Sequence, residues 1–292
     1  MKILIAEDME NEVVEEIKKI GEVCYCPKDI NNELKDADVL IVRSKTKVTR
    51  DFLSNANKLK TIIRAGVGLD NIDTSACEEK SIKVFNTPGA SSNAVAELVI
   101  GHIFSAFRFI AKAHCQMKNN IWDKKNLVGR EIQGKTLGII GYGRIGSLVA
   151  KKALALGMKV VAYNPEPRSD ENVEFVSFEE LLKSSDVISL HVPSTPETKK
   201  MINDKTIQIM KNGVVIINTA RGDVIDEDAL YNACKNGKVA AACLDVFPQE
   251  PYTGKLLQLD NVYCTPHLGA STKEAQMKIG VEIISILKNI RV

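Results

Sequence analysis

The chain has 292 residues, 45% hydrophobic and 26% charged, with a formal net charge of +2. That balance suits one large or two medium globular domains, and it supplies no basic field of the kind that nucleic acid needs. No apolar run approaches the roughly 20 residues of a membrane span, so neither nucleic acid nor membrane is an expected partner.

The opening MKILIAED reads as a strand. Its apolar run is too short for a signal peptide, and no small-residue cleavage site follows. KILIA (2–6) leads to a helical pattern over 10–20. EVCYC (22–26), ADVLIVR (37–43), LKTIIRA (59–65) and IKVFNT (82–87) are the next strands, with short helical segments at 49–57 and 72–80 between them. NTPGASSN then precedes a long helical pattern from Ser91 to about Lys118, and its Pro-Gly pair beside a helix cap suits a hinge. A second series follows: KTLGIIG (135–141), KVVAYN (159–164), DVISLHV (186–192), VVIINT (214–219), AAACLDV (240–246) and NVYCTP (261–266). The last segment, from Ser271, is an amphipathic helix. Strands alternating with helices predict an α/β protein with parallel sheets covered on both faces. Seven scattered cysteines, an odd number, fit reduced thiols in the cytoplasm. Cys24 and Cys26 form a CxC pair, but no second Cys/His cluster completes a tetrahedral zinc site, so no metal is expected.

GYGRIG (141–146) follows a strand and opens a helix, the context a dinucleotide-binding turn requires. Gly141 would make the tight turn, Gly143 would admit a pyrophosphate, and Gly146 would let helix and strand pack closely. The helix N-terminus adds free N–H groups and a positive dipole end. An acidic residue is expected at the end of the next strand, to bond the adenosine ribose. Asn164 stands there, 18 residues past Gly146. A neutral amide can bond a ribose hydroxyl but does not repel a 2′-phosphate, and Arg168 nearby would attract one. NAD is the expected cofactor, with NADP left open.

Three ionisable residues lie near strand ends of the second series: Arg221 after VVIINTA, Glu250 after LDVFPQ and His267 after NVYCTP. In a doubly wound sheet, ligands bind beyond the carboxyl ends of the strands. A guanidinium grips a carboxylate with two parallel hydrogen bonds, an imidazole exchanges protons near neutral pH, and a glutamate fixes its tautomer. Those are the parts needed to oxidise a 2-hydroxy acid. His102 and His114 lie in the long helical stretch and read as structural.

The segments LLKSSDVISLHVPSTPETKKMIN (181–203), MKNGVVIINTARGDVID (210–226), LDVFPQEP (244–251) and TPHLGAST (265–272) resemble the D-isomer-specific 2-hydroxyacid dehydrogenase family, and the similarity covers essentially the whole chain. The resemblance implies a Rossmann dinucleotide-binding domain over 89–268. It implies a flavodoxin-like substrate domain made of 1–88 with 269–292, the terminal helix packing back on the first segment. Arg221 would hold the substrate carboxylate and keto oxygen, His267 would exchange the proton on the C2 oxygen, and Glu250 would orient His267. Further cofactor contacts are implied for Arg144, Ile145, Pro165, His191, Val192, Pro193, Thr198, Thr219, Ala220, Asp245 and Gly269. A homodimer through the helix near 91–118 and the segment around Trp122 is also implied.

RSKTKVT (43–49) and RAGVGLDNID (64–73) follow strands of the first series. RAGVG offers glycine-freed N–H groups to a carboxylate, and Arg43, Lys45, Lys47 and Arg64 add cations suited to a phosphate. With NTPG and the glycine-rich turn, these segments resemble the family's 3-phosphoglycerate dehydrogenases more than its lactate, formate or glycerate enzymes. That implies oxidation of 3-phosphoglycerate to 3-phosphohydroxypyruvate at the head of serine synthesis. Arg43, Ser44 and Asn86 would touch substrate, and the backbone at Val67 and Gly68 would take its carboxylate. The sequence stops at Val292, so the C-terminal regulatory domains of longer relatives, and serine feedback through them, are not expected. A hydroxypyruvate or glyoxylate reductase using NAD(P)H is an open alternative, as is a non-catalytic NAD-sensing protein.

Overall fold

A computed structural model describes residues 1–290. The chain divides into two compact units, Met1–Ser92 with the segment from Ala270 onward, and Asn93–Gly269.

The first unit runs β1 (Lys2–Ile5), α1 (Asn11–Lys18), β2 (Glu22–Tyr25), α2 (Ile30–Leu34), β3 (Val39–Val42), α3 (Arg50–Ser54), β4 (Thr61–Arg64), α4 (Thr74–Glu79) and β5 (Lys83–Asn86). The five strands are all parallel in the order β2-β1-β3-β4-β5, the flavodoxin-like arrangement. Side chains alternate across the sheet and both faces are covered. Ile3, Ile5 and Ile41 enter one core and Leu4, Leu40 and Val42 the other. This is why the central strands β3 (VLIV) and, after Lys2, β1 (ILI) read as aliphatic runs.

The second unit begins with α5 (Ser92–Arg108), α6 (Ile110–Lys118), β6 (Thr136–Ile140), α7 (Arg144–Ala155), β7 (Lys159–Tyr163) and β8 (Glu174–Phe175). It continues with α8 (Phe178–Ser184), β9 (Val187–Leu190), α9 (Asp204–Ile209), β10 (Val214–Asn218), α10 (Glu227–Lys235), β11 (Val239–Leu244) and β12 (Val262–Cys264). Its seven parallel strands are ordered β12-β11-β10-β9-β6-β7-β8, the doubly wound Rossmann order with one strand added. The chain order reverses between β6 and β9, which fixes the ligand crevice at the carboxyl ends of those two strands.

The terminal helix α11 (Lys273–Ile290) lies in the first unit, where Ile279, Ile283 and Leu287 join the core of β1 and α1. Gly280 permits this, since a Cβ there would stand 2.2 Å from Val13 Cγ2.

Two elements differ from the sequence expectation. The single helix over 91–118 is two helices bent by 67° at Phe109, whose φ is +54°. The Phe107 carbonyl accepts the Arg130 N–H at 2.9 Å, and a Cβ on Gly129 would lie 2.4 Å from that carbonyl. The segment at 129–130, outside any helix or strand, thus takes a carbonyl that would otherwise serve the next helical turn. The two-residue β8 was also not expected. No single helix among the described residues is long and apolar enough to cross a membrane; only α5 and α6 taken together across their bend reach that length and hydropathy.

Candidate active site

The glycine-rich turn occupies the switch point. Gly141 has φ +96°, and its N–H bonds the Tyr163 carbonyl at the end of β7. A Cβ there would sit 2.8 Å from the His191 backbone at the end of β9, so only glycine fits between the two neighbouring strands. A Cβ on Gly146 would lie 2.4 Å from the Gly141 carbonyl, which fixes the close helix–strand packing. Around Gly143 no heavy atom lies within 4 Å of such a position, so the backbone is open where a pyrophosphate would approach. Gly143 caps α7 without a side-chain bond, leaving the first N–H groups of that helix, at Arg144 and Ile145, to a ligand. Thr219 Oγ1, just past β10, is buried among the described residues with no hydrogen-bond partner. The residues present therefore fit a dinucleotide.

Asn164 stands at the end of β7, where the sequence puts it. Its Oδ1 accepts the Tyr142 N–H at 3.1 Å and its Nδ2 donates to the Glu166 carbonyl at 2.9 Å. One amide proton is left over for a ribose hydroxyl. Arg168 is ion-paired with Glu166 at 3.5 Å rather than isolated. Tyr142 donates to Asp170 at 2.7 Å, tying this loop to the glycine-rich turn, and burial pushes the phenol pKa up. His191 is only partly exposed and its Nε2 lies 2.9 Å from the hydroxyl of fully buried Ser189. Desolvation pushes its pKa down to about 4, so the ring is neutral at physiological pH. Val192 packs against Gly141, with its Cγ1 3.0 Å from where a Cβ would be. Thr198 Oγ1 donates to the Pro193 carbonyl at 2.6 Å, so its hydroxyl serves the local loop. Pro165 is exposed.

Arg221, Asp245 and His267 come from three adjacent strands. Asn218, Leu244 and Cys264 are register partners at the carboxyl ends of β10, β11 and β12. Arg221 begins the turn after β10. Buried Asn218 brackets that turn: its Oδ1 accepts the Ala220 N–H at 3.0 Å and its Nδ2 donates to the Arg221 carbonyl at 2.7 Å. The Arg221 guanidinium donates to the Ala220 carbonyl at 2.6 Å. Glu250 Oε2 lies 2.8 Å from His267 Nδ1, and Glu250 Oε1 accepts the Phe247 N–H at 3.1 Å. An ionised carboxylate only accepts, so the hydrogen bond to Glu250 puts a proton on His267 Nδ1. His267 itself has φ +55°, rare for a non-glycine residue. Asp245 is 1% exposed. It bonds Thr265, Leu268 and Gly269, the residues flanking His267. Asn218 was not singled out in the sequence; an amide closing an aliphatic strand just before the arginine was the available signal.

In the first unit, β1 and β3 flank the switch point of the five-stranded sheet, and the loops after them meet there. Glu7 accepts the N–H groups of Arg43 at 2.9 Å, Lys45 at 3.1 Å and Thr46 at 2.9 Å. The basic loop is thus wrapped around a carboxylate that the sequence reading did not identify. Arg43 Nη1 donates to the Asp8 carbonyl at 2.9 Å, and Ser44 and Lys45 are exposed. The N–H groups of Val67 and Gly68 meet no acceptor among the described residues. Asn86 Nδ2 donates to the Val67 carbonyl at 2.6 Å and so supports that loop.

Comparison with known proteins agrees with this geometry. Residues 100–269 match the D-isomer specific 2-hydroxyacid dehydrogenase NAD-binding domain. The chain is 54% identical over 256 residues to the hydroxypyruvate reductase of Thermotoga maritima, covering 86% of this chain and 84% of that protein. It is 47% identical over 300 residues to the D-3-phosphoglycerate dehydrogenase of Methanocaldococcus jannaschii, covering 99% of this chain but 57% of that protein, so it spans just over half of that relative's length. The crystal structure of D-lactate dehydrogenase from Aquifex aeolicus, complexed with NAD and lactic acid, superposes with a TM-score of 0.89 at 36% identity, covering 99% of this chain and 95% of that one. The chain therefore belongs to the D-isomer specific 2-hydroxyacid dehydrogenases, with that family's NAD-binding domain in its second unit.

Proposed function

We propose that the chain interconverts a D-2-hydroxy acid and its 2-keto acid with NAD, and that its substrate is 3-phosphoglycerate. The observation that carries the reaction is the 2.8 Å pairing of Glu250 with His267 Nδ1, two strands away from Arg221 in the sheet. Arg221 clamps the substrate carboxylate and the C2 oxygen with its planar fork. His267 Nε2 takes the C2 hydroxyl proton on oxidation and returns it on reduction, while Glu250 stabilises the imidazolium that forms. The bound nicotinamide supplies the hydride acceptor or donor. The α7 N-terminus, Gly143 and Thr219 hold the cofactor, with Asn164 at the ribose. Because Asn164 is neutral, it does not repel a 2′-phosphate, and NADP is left open beside NAD.

Support for a phosphorylated substrate comes from Arg43, Lys45 and Lys47, which form no ion pair among the described residues. A specific observation favours a second reading, reduction of unphosphorylated hydroxypyruvate or glyoxylate: Glu7 fills the backbone of the same loop with negative charge. In the first reading Arg43, Ser44, Asn86 and the N–H groups of Val67 and Gly68 are the substrate contacts; in the second the basic loop from Arg43 to Lys47 is solvated surface. Initial rates with 3-phosphoglycerate and NAD, beside phosphohydroxypyruvate, hydroxypyruvate and glyoxylate with NADH, separate the two. A strong preference for the phosphorylated pair supports the first reading and a place in serine synthesis. Faster turnover of the unphosphorylated acids supports the second.

The protein acts as a homodimer in this proposal, through an apolar surface of Ile110, Met117, Ile121, Trp122 and Val128, all exposed in the single chain. All seven cysteines are free thiols, which suits work in the cytoplasm.

A further inference from the structure

The loop that carries His267 is held from below by a buried polar chain. Asp245 is 1% exposed and accepts three hydrogen bonds: Thr265 Oγ1 at 2.6 Å and the Leu268 N–H at 2.7 Å on Oδ1, and the Gly269 N–H at 2.8 Å on Oδ2. These donors lie two residues before His267 and one and two residues after it. The His267 N–H bonds the Thr265 carbonyl at 3.0 Å, closing a tight turn over Pro266, and His267 itself is left-handed with φ +55°. Such a backbone costs on the order of 1–3 kcal/mol unless its surroundings hold it. Thr265 has one hydroxyl proton and gives it to Asp245. The 3.4 Å contact between His102 Nε2 and Thr265 Oγ1 is therefore donated by the imidazole. His102 is 5% exposed, and burial lowers its pKa, consistent with a neutral ring protonated on Nε2.

We propose that the chain His102–Thr265–Asp245 is the positioning element of His267: it clamps both flanks of the histidine and so aims Nδ1 at Glu250. This rests on the reading of His267 as the proton-transfer group. Thr265 and Asp245 act through His267, so they are positioning residues whatever Asp245 also offers the cofactor. The sequence could not show this, because Asp245 and Thr265 are 20 residues apart and His102 lies on another element.

Thr265→Val keeps the shape of the side chain and removes the hydroxyl. A misplacement of about 1 Å at the reacting group can cost as much as 10²-fold, so kcat should fall by roughly 10- to 10²-fold while the KM for NADH changes little. Thr265→Ser should restore kcat, which loss of packing alone would not allow. The chain has four histidines, so a spectrum of ¹⁵N-histidine-labelled protein at low temperature can separate their ring N–H signals. The His267 Nδ1–H signal should be present in wild type and Thr265→Ser and be lost or broadened in Thr265→Val. That readout needs no turnover, so it tests the clamp even if the proposed reaction fails. An unchanged His267 signal together with wild-type kcat in Thr265→Val would overturn the proposal. If that variant does not fold, Asp245→Asn carries the same spectroscopic test, since an amide group facing the Leu268 or Gly269 N–H breaks the clamp; an unchanged signal there overturns it equally.

Discussion

Gly222→Ala tests whether the turn after Arg221 is fixed by contact with the Glu250 loop. A Cβ on Gly222 would lie 2.0 Å from the Phe247 carbonyl carbon, 2.2 Å from the Pro248 nitrogen and 2.5 Å from Phe247 Cα. Ordinary carbon contacts begin near 3.5 Å, so one backbone must move by about 1.5 Å. No flexible side chain can yield instead, because all three atoms are main chain. If the turn moves, Arg221 moves with it. If Phe247 moves, it carries the N–H that holds Glu250 Oε1. Overpacking of this kind costs about 1–3 kcal/mol, or roughly 2–4 °C in Tm per kcal/mol for a unit of this size. Catalysis should suffer more than stability, with kcat/KM down about 10²-fold, the cost of displacing a catalytic group by about 1 Å. Thermal unfolding and initial rates on the same preparation check this. A variant with wild-type Tm and wild-type kcat/KM would refute the reasoning.

Asn218→Ala removes both bonds that bracket the Arg221 turn and leaves the Ala220 N–H and Arg221 carbonyl unpaired. A loss of about 1–3 kcal/mol in stability is expected by denaturant unfolding, with the KM for the 2-keto acid raised. His191→Gln tests the desolvated imidazole at the end of β9. Its folded pKa, about 4, is below the unfolded 6.5, so the unfolded state binds the extra proton more readily. Stability is therefore full above about pH 6.5 and falls as pH drops toward 4, by at most about 3 kcal/mol from this residue. The variant should show a smaller Tm difference between pH 5 and pH 7 than wild type; an equal difference counts against this assignment. Asn164→Asp should shift preference toward NAD over NADP, because a carboxylate repels the 2′-phosphate. An unchanged ratio of kcat/KM values would show that Asn164 does not read the ribose.

The layered α/β fold was legible because parallel strands buried on both faces are rich in aliphatic residues, as VLIV in β3 and VVII in β10 are. The glycine-rich turn was legible because only glycine satisfies the Gly141 and Gly146 contacts. The placement of Arg221, Glu250 and His267 past the carboxyl ends of β10, β11 and β12 was legible from the strand pattern. What escaped the sequence depends on partners far along the chain. The break at Phe109 answers to Arg130, the basic loop answers to Glu7, and Asp245 answers to Thr265 and the two N–H groups beyond His267. Asn218 escaped because its role lies in two local backbone bonds, which residue type alone does not announce.

The most direct test of the central claim is His267→Ala, assayed for NADH oxidation with each 2-keto acid and for NADH binding by fluorescence. If His267 is the general acid, kcat should fall by about 10²–10⁴-fold while NADH binding is retained. Near-wild-type turnover in that variant would remove His267 from the reaction and contradict the account.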